Sequence, residues 1–273
     1  MNEWRPDIAL EHPFQEDFAV HLQSLQSGDF PTSDDLNRCL SSDVCNQQGM
    51  LIRFVPSTDA PVVNYESHIY CTGQISTREK NWHDIFNALV WMRFPALKAA
   101  MNAVHYKAMQ ETTIGRGKQR DALTLFDECG VIVVAHEYSH LQEISNRNWQ
   151  DVFSGGPDEW ESRYQIFITG HAMLEKFLMP YKAMTANALL VHIPEREFLL
   201  ERKELRTNLD AILAKQILCA RVCKTSGDLS PIPLMGIPGW WQVGDQDDAF
   251  YADVKVFRPA PKNFRASPVF SIN

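Results

Sequence analysis

Two helical patterns meet at a single proline between residues 81 and 110, and this junction fixes a change of chain direction. Proline disfavours helical geometry in the residue before it, so a helix over 81–93 is expected to stop near Phe94-Pro95. A second helix, over 96–110, then follows at an angle. The chain is therefore expected to build its fold around two helices that turn sharply against each other.

The first of these helices has an unusual polar face. At the angular spacing of an α-helix, His83, Asp84 and Asn87 fall on one side and the apolar residues on the other. Short polar side chains of this kind lose little entropy when they are held in place, so they suit a functional site better than a solvated surface. A buried hydrogen-bonded cluster that ties the helix to its neighbours explains the same residues about as well.

The rest of the chain alternates short helical and extended patterns. Helices are predicted over 13–27, 30–40, 136–149, 171–178 and 195–223. Strands are predicted over 51–56, 65–71, 163–169 and 187–193. The apolar runs 122–126 and 131–134 flank Asp-Glu-Cys-Gly, a pattern typical of a β-hairpin.

These elements predict an α+β fold that is mainly helical, with short β-hairpins and a small antiparallel or mixed sheet. The tail from residue 230 contains too many Pro and Gly residues for regular structure, but its aromatic side chains predict that it is ordered by packing on the body of the protein. Residues 1–273 are expected to form one domain, and Gly155-Gly156-Pro157 marks a minor break near 155–157.

Composition narrows the functional classes. A net charge of −8 argues against nucleic acid or an anionic membrane as the partner, and leaves a small molecule or a peptide as the expected ligand. No apolar run has the length of a membrane-spanning helix, and the N-terminal residues do not resemble a signal peptide, so a cytoplasmic protein is expected. None of the six cysteines forms a CxxC pair, which predicts free thiols.

One recognisable metal-binding pattern is the HExxH of His136, Glu137 and His140. On a helix the two histidines would lie one turn apart and could share a zinc ion, with Glu137 acting as the base on the bound water. Glu161 (or Glu159) would supply the third ligand, at a spacing that resembles thermolysin-like metallopeptidases. The pattern is short, however, and the apolar run directly before it is more typical of a strand.

A second metal-binding hypothesis combines two separate helices. His171 and Glu175 lie one helical turn apart, and His171 stands at a predicted helix N-terminus, where the dipole keeps its imidazole neutral. If this helix faces the one that carries His83 and Asp84, the four residues could form a hydrolytic or metal centre. Its metal ligands would be His83, His171 and Glu175. Each histidine taken alone is more often a buried structural group.

Substrate-binding residues are expected near this centre. Asn87 shares the polar face of the first helix, and His105 lies on a polar stripe of the second helix. Arg120 and Asp121 open the predicted hairpin. Their ordinary role is an ion pair with a neighbouring helix, but Arg120 could instead bind a carboxylate or phosphate group of a substrate.

Five segments, taken in order, resemble a known family. They are NWHDIFNALVW, FPALKAAMNAVH, RDALTLFDECG, GHAMLEKFLMPY with TANALL, and PLMGIPGWW. Together they resemble a bacterial family catalogued as domain of unknown function 3025, over roughly residues 30–260. The resemblance implies no established activity. It implies that the segment after the hairpin varies within the family. The residues inside the matching segments are therefore stronger candidates for a site than the HExxH.

Three functions are therefore expected, in decreasing order. The first is a metal-assisted hydrolase that uses His83, Asp84, His171 and Glu175, with zinc as the cofactor. The second is a zinc peptidase that uses the HExxH at 136–140. The third is a non-catalytic binding or scaffold protein in which the polar segments are structural.

Overall fold

The computed structural model describes residues 3–6, 15–25, 28–57, 64–110, 117–241 and 244–272. The described residues form thirteen α-helices, seven β-strands and two short 3₁₀ helices. The helices are α1 (Gln15–Ser24), α2 (Ser33–Cys39), α3 (Tyr65–Thr72), α4 (Trp82–Arg93), α5 (Pro95–Gln110), α6 (Lys118–Cys129), α7 (Tyr138–Asn146), α8 (Trp149–Val152), α9 (Pro157–Arg163), α10 (His171–Lys176), α11 (Glu195–Phe198), α12 (Arg202–Leu218) and α13 (Asp248–Tyr251). The 3₁₀ helices span Ser226–Asp228 and Leu234–Gly236.

Two sheets organise the described residues. The smaller is a parallel pair, β1 (Arg53–Pro56) with β2 (Gln74–Thr77). The larger has five strands: β3 (Gly130–Ala135), β4 (Gln165–Ile168), β5 (Thr185–His192), β6 (Ser230–Pro233) and β7 (Val269–Ser271). Its order is β4-β3-β5-β6, and β7 pairs with β5 beyond the end of β6. Strand β3 is parallel to β5 and antiparallel to β4, so the sheet is mixed. The predicted class, mainly helical α+β with small sheets, is confirmed.

The junction between the first two long helices forms as predicted. Helix α4 starts at an Asn81 cap, whose side chain accepts a hydrogen bond of 3.0 Å from the amide of Asp84. It ends at Phe94, and Pro95 opens α5. The carboxylate of Asp210, from α12, accepts hydrogen bonds from the amides of Ala96 and Leu97 and so caps α5. Helix α5 is thereby fixed at its start by a residue more than a hundred positions away.

The predicted hairpin over 122–134 is wrong. Residues Lys118–Cys129 form helix α6, and only Gly130–Ala135 form a strand. Ala122, Leu123 and Phe126 are buried at helical spacing, so the period that governs this segment is 3.6 and not 2. Asp-Glu-Cys therefore forms the end of α6, and the following Gly130 begins β3. These four residues do not form a tight turn.

Three other predictions need correction. The strand predicted over 65–71 is helix α3, which ends at Gly73 in a left-handed conformation. The long helix predicted over 195–223 is two helices, α11 and α12. The tail contains a strand, β6, although it includes Pro231 and Pro233; they are tolerated because β6 lies at an edge of the sheet.

Most other local predictions are confirmed. The capped helix after Phe30 is α2, whose Thr32 and Asp35 form a reciprocal capping box. The helix predicted over 13–27 is described as α1, and residues 13, 14, 26 and 27 lie outside the described residues. All six cysteines are free, as predicted.

Buried apolar side chains form one cluster in the described part of the chain, from Trp4 to Ile272. This cluster includes Met235, Trp240 and Phe257, so the Pro-rich tail is ordered by packing, as predicted. The break expected near 155–157 is the entry to α9, with Gly155 in a left-handed conformation and Pro157 in the first helical turn. That residues 1–273 form a single domain stays a prediction.

In the described residues no helix is both long and apolar enough to cross a lipid bilayer.

Candidate functional site

A pocket of about 590 Å³ opens where α3, α4, α5, α6 and α10 meet. Its walls are mainly polar, with histidine, carboxylate, amide and guanidinium groups contributed by separate parts of the chain. Helix α4 presents its N-terminal turn, α6 presents one face along its length, and α10 presents its first residue, His171.

The larger sheet positions His171. Strands β3 and β4 are antiparallel, and the amide of Gly170 donates to the carbonyl of Gly130 at 2.8 Å. A Cβ atom at position 170 would lie 2.4 Å from the Gly130 nitrogen and 2.6 Å from the Glu128 carbonyl oxygen, so only glycine fits there. This close contact joins the start of α10 to the end of α6. It brings His171 beside Asp127 and Glu128.

Three side chains meet in a geometry that could hold a metal ion: His83, Glu128 and His171. One ligand atom from each lies within 4.8 Å of the others. The Nε2 atoms of the two histidines are 3.0 Å apart. Two ligands on one tetrahedral zinc, at bonds of about 2.0–2.1 Å, are separated by roughly 3.3 Å. The two imidazoles therefore lie close to the separation that a shared ion requires.

The far side of each imidazole faces a carboxylate. His83 Nδ1 is 3.0 Å from Glu175 Oε2, and His171 Nδ1 is 3.8 Å from Asp127 Oδ1. Metal-binding histidines usually donate their second N–H to a carboxylate or carbonyl, which fixes the tautomer and the ring orientation. Both histidines thus turn Nε2 toward each other and Nδ1 toward an acidic group.

Burial and charge set the protonation of this group. Burial lowers the pKa of His171 to about 4, against the opposing effect of Asp127, so the ring is neutral at neutral pH. Burial alone would raise the pKa of Asp127, but the Lys98 ammonium, 2.5 Å from Asp127 Oδ1, is the largest of the effects that offset it, and the pKa is lowered. Burial raises the pKa of Glu128. The neutral imidazole of His171 keeps a nitrogen lone pair that can bind a cation.

The opposite wall holds a second acidic group. Glu66, on α3, accepts a hydrogen bond of 2.7 Å from Asn102, and burial raises its pKa. The hydroxyl of the neighbouring Tyr65 accepts a hydrogen bond of 2.9 Å from Asn87. Burial also raises the pKa of Tyr65, so this hydroxyl keeps its proton.

Asp84 lies at the pocket edge in a two-pronged contact with Arg78. The Arg78 Nη2 and Nε atoms lie 2.7 and 3.0 Å from the two Asp84 oxygens, and the Arg78 amide also donates to this carboxylate. This hydrogen bonding raises the pKa of Arg78. Asp84 therefore orients Arg78 beside the three-residue group and does not itself belong to that group.

A model of the family described as protein of unknown function (DUF3025) matches residues 52–261. The chain belongs to the DUF3025 family. No curated protein and no solved structure matches this DUF3025 chain. The matched range contains every residue of the pocket, and the predicted resemblance to the family is confirmed.

The DUF3025 pocket brings together most of the residues that the sequence singles out. His83, Asp84, Asn87, His105, Arg120 and His171 line it. Asp121 does not; its side chain is exposed and is not part of the pocket lining. Glu175 lies behind His83, and in the group that could hold a metal Glu128 takes the place expected for Glu175. The roles of all these residues remain predictions.

No sequence pattern assigns a role to Glu66, Lys98, Asp127 or Glu128. The local pattern predicts a hairpin turn at Asp127 and Glu128 and a strand at Glu66. The spacing of Arg120, Thr124, Asp127 and Glu128, on one face of a helix, is the signal that would have found them once the segment was recognised as helical.

The HExxH of this DUF3025 chain does not form one helical turn. His136 follows β3, and α7 begins only at Tyr138. The His136 ring packs against Phe198, and the His140 ring packs against Tyr164. In the described residues, the one group of three with ligand atoms close enough is His83, Glu128 and His171, so His136, His140 and Glu161 do not meet at a common point.

Proposed function

We propose that the pocket binds a divalent cation, zinc, through His83, Glu128 and His171, and that it hydrolyses a bond in a small molecule or peptide. The observation that carries this proposal is the opposed pair of imidazoles. Their Nε2 atoms are 3.0 Å apart, and their Nδ1 atoms face Glu175 and Asp127. A carboxylate behind each imidazole is an arrangement that metal-binding histidines commonly have.

The donor set favours zinc. Two imidazole nitrogens and one carboxylate oxygen are ligands that zinc accepts, and catalytic zinc sites commonly have three protein ligands with one position open to water or substrate. The open side of the group is the pocket itself. A bound zinc ion would lower the pKa of its water to about 7 and so supply a hydroxide nucleophile at neutral pH.

The chain supplies the remaining functions from the pocket walls. Glu175 accepts a hydrogen bond from Nδ1 of His83 and so favours the tautomer that leaves Nε2 free for the metal, and Asp127 faces Nδ1 of His171 at 3.8 Å. Glu66 has a raised pKa and lines the same pocket, so it is suited to proton transfer to a leaving group. Asp84 fixes Arg78 where its guanidinium can stabilise negative charge on a substrate.

Metal analysis of the purified full chain tests the proposal. After incubation with zinc and removal of the excess, wild type and the control His136→Ala should each retain about one ion per chain. His83→Ala, His171→Ala and Glu128→Gln should lose it while keeping the far-ultraviolet circular dichroism spectrum of wild type.

Two outcomes would contradict the proposal. Loss of zinc in His136→Ala and not in His171→Ala would favour the HExxH peptidase. A wild-type chain that retains no zinc, nickel, manganese or iron would leave the His83–His171 contact as a direct hydrogen bond between two neutral rings, as expected of a binding or scaffold protein.

A further inference from the structure

One face of α6 forms a continuous wall along the pocket. Arg120, Thr124, Asp127 and Glu128 all line the pocket, at spacings of four, three and one residues. An α-helix rises 1.5 Å per residue, so Arg120 and Glu128 are separated by about 12 Å along the axis. Arg120 and Glu128 therefore line the same pocket from backbone positions that are about two turns of α6 apart.

Arg120 differs from the other arginine that lines the pocket, because Arg78 pairs with Asp84. Among the described residues no carboxylate lies within ion-pair distance of Arg120, and its buried Nε atom has no hydrogen-bond partner among them. A guanidinium that lines a pocket and has donors free of protein acceptors can accept an anionic ligand there.

The acidic neighbour of Arg120 does not neutralise it. Glu66 interacts electrostatically with Arg120, but its hydrogen bond comes from the neutral amide of Asn102. Burial raises the pKa of Glu66, which makes this carboxyl group easier to protonate than an ordinary one. The Arg120 guanidinium is therefore available to an oxyanion of a ligand, bound by two parallel N–H groups.

We infer that Arg120 binds an oxyanion group of the substrate, a terminal carboxylate or a phosphate. The substrate is then an anionic small molecule that carries this oxyanion and reaches the proposed metal site in the same pocket. The position of the hydrolysed bond rests on the proposed metal site. The anion site at Arg120 does not depend on it.

Calorimetric titration of the metal-free full chain, kept in chelator, tests the anion site. The probes are inorganic phosphate and glutarate, which separate the phosphate source from the carboxylate source. One of the two should bind to wild type with at least millimolar affinity. Arg120→Gln should weaken that binding at least about tenfold, the loss expected from one charge-assisted contact. Arg120→Lys, which keeps the charge and loses the fork, should give an intermediate value.

One control variant keeps the result specific. Arg196→Gln changes an arginine whose side chain is 81% exposed and which lies outside the pocket lining, and it should bind the probe as wild type does. Circular dichroism and thermal unfolding of Arg120→Gln and Arg120→Lys establish that both variants are folded.

The outcomes separate the two proposals. Binding that depends on Arg120 in a chain that retains no metal would support the anion site and contradict the hydrolase. Zinc retention without any binding of phosphate or glutarate, or with equal binding in Arg120→Gln, would overturn the anion site and leave the metal site standing.

Discussion

This chain contains one pair of histidines that are close in sequence and another pair that are close in space. His136 and His140 lie four residues apart, in a pattern that is known for zinc binding, yet their rings pack against Phe198 and Tyr164. His83 and His171 lie 88 residues apart and bring their Nε2 atoms within 3.0 Å. An HExxH predicts a zinc site only when one helix contains both histidines, and here α7 begins after His136.

The difference between the two pairs is tested most directly by removing one histidine from each pair. His171→Ala should lower zinc affinity by at least about a thousandfold, because one of three protein ligands is lost. His140→Ala should leave the affinity within about twofold of wild type. Competition with a zinc chelator measures both. Equal losses in the two variants would show that the pairs do not differ in the way the geometry indicates.

A backbone substitution should have the next largest effect. Gly170→Ala places a Cβ atom 2.4 Å from a backbone nitrogen that cannot move without disturbing β3, and it should lower the free energy of unfolding by about 3 kcal/mol. Gly156→Ala, where no atom lies within 4 Å, should change it by less than about 1 kcal/mol. Urea unfolding monitored by circular dichroism compares them. A neutral Gly170→Ala would mean that the contact of α10 with the end of α6 is loose.

A further test compares two carboxylates, Glu175 beside His83 and Glu137 in the HExxH. Glu175→Gln should reduce zinc affinity about 10- to 100-fold, because the amide no longer favours the His83 tautomer that presents Nε2 to the metal. Glu137→Gln, in the HExxH, should have no effect, since Glu137 is exposed and lies apart from the pocket. The same chelator competition applies. No effect in either variant would show that Glu175 does not orient His83.

The smallest expected effect is a change in the pH dependence of stability. The folded-state pKa of His171 is lowered to about 4 from 6.5, so the unfolded chain binds a proton that the folded chain excludes. This contribution to stability is present above about pH 6.5 and is lost as the pH falls toward 4. In metal-free protein, His171→Asn should therefore lose less stability than wild type between pH 7 and pH 5, by on the order of 1 kcal/mol. Denaturant unfolding at both pH values measures the difference, and identical slopes would contradict the buried neutral imidazole.

The sequence predicts helices α4 and α5, which line the pocket, and misses helices α3 and α6, which also line it. Helices α4 and α5 are stabilised by local features, the Asn81 cap and Pro95, and a local pattern is enough to find them. Helices α3 and α6 were assigned to strands. The first is rich in aromatic and β-branched residues, and its helix is held by packing on α5, where Asn102 donates to Glu66.

The residues of the site divide in the same way, into those that local sequence predicts and those that depend on tertiary structure. His83, Asp84, Asn87, His105, Arg120 and His171 were selected by residue type and position, and all six line the pocket. The contributions of Asp127 and Glu128 depend on α6, a helix whose sequence pattern predicts a hairpin. The contact between Gly170 and Gly130 depends on the pairing of two strands that are far apart in sequence. No local pattern contains either fact.

The contact between Gly170 and Gly130 also sets when the opposed imidazoles can form during folding. His171 is the first residue after Gly170, so its position is set by the register in which β3 and β4 pair. An unfolded chain already contains the contiguous HExxH, but it lacks the opposed imidazoles until this register has formed. If the proposed metal site is real, metal uptake during refolding would report completed pairing of β3 with β4.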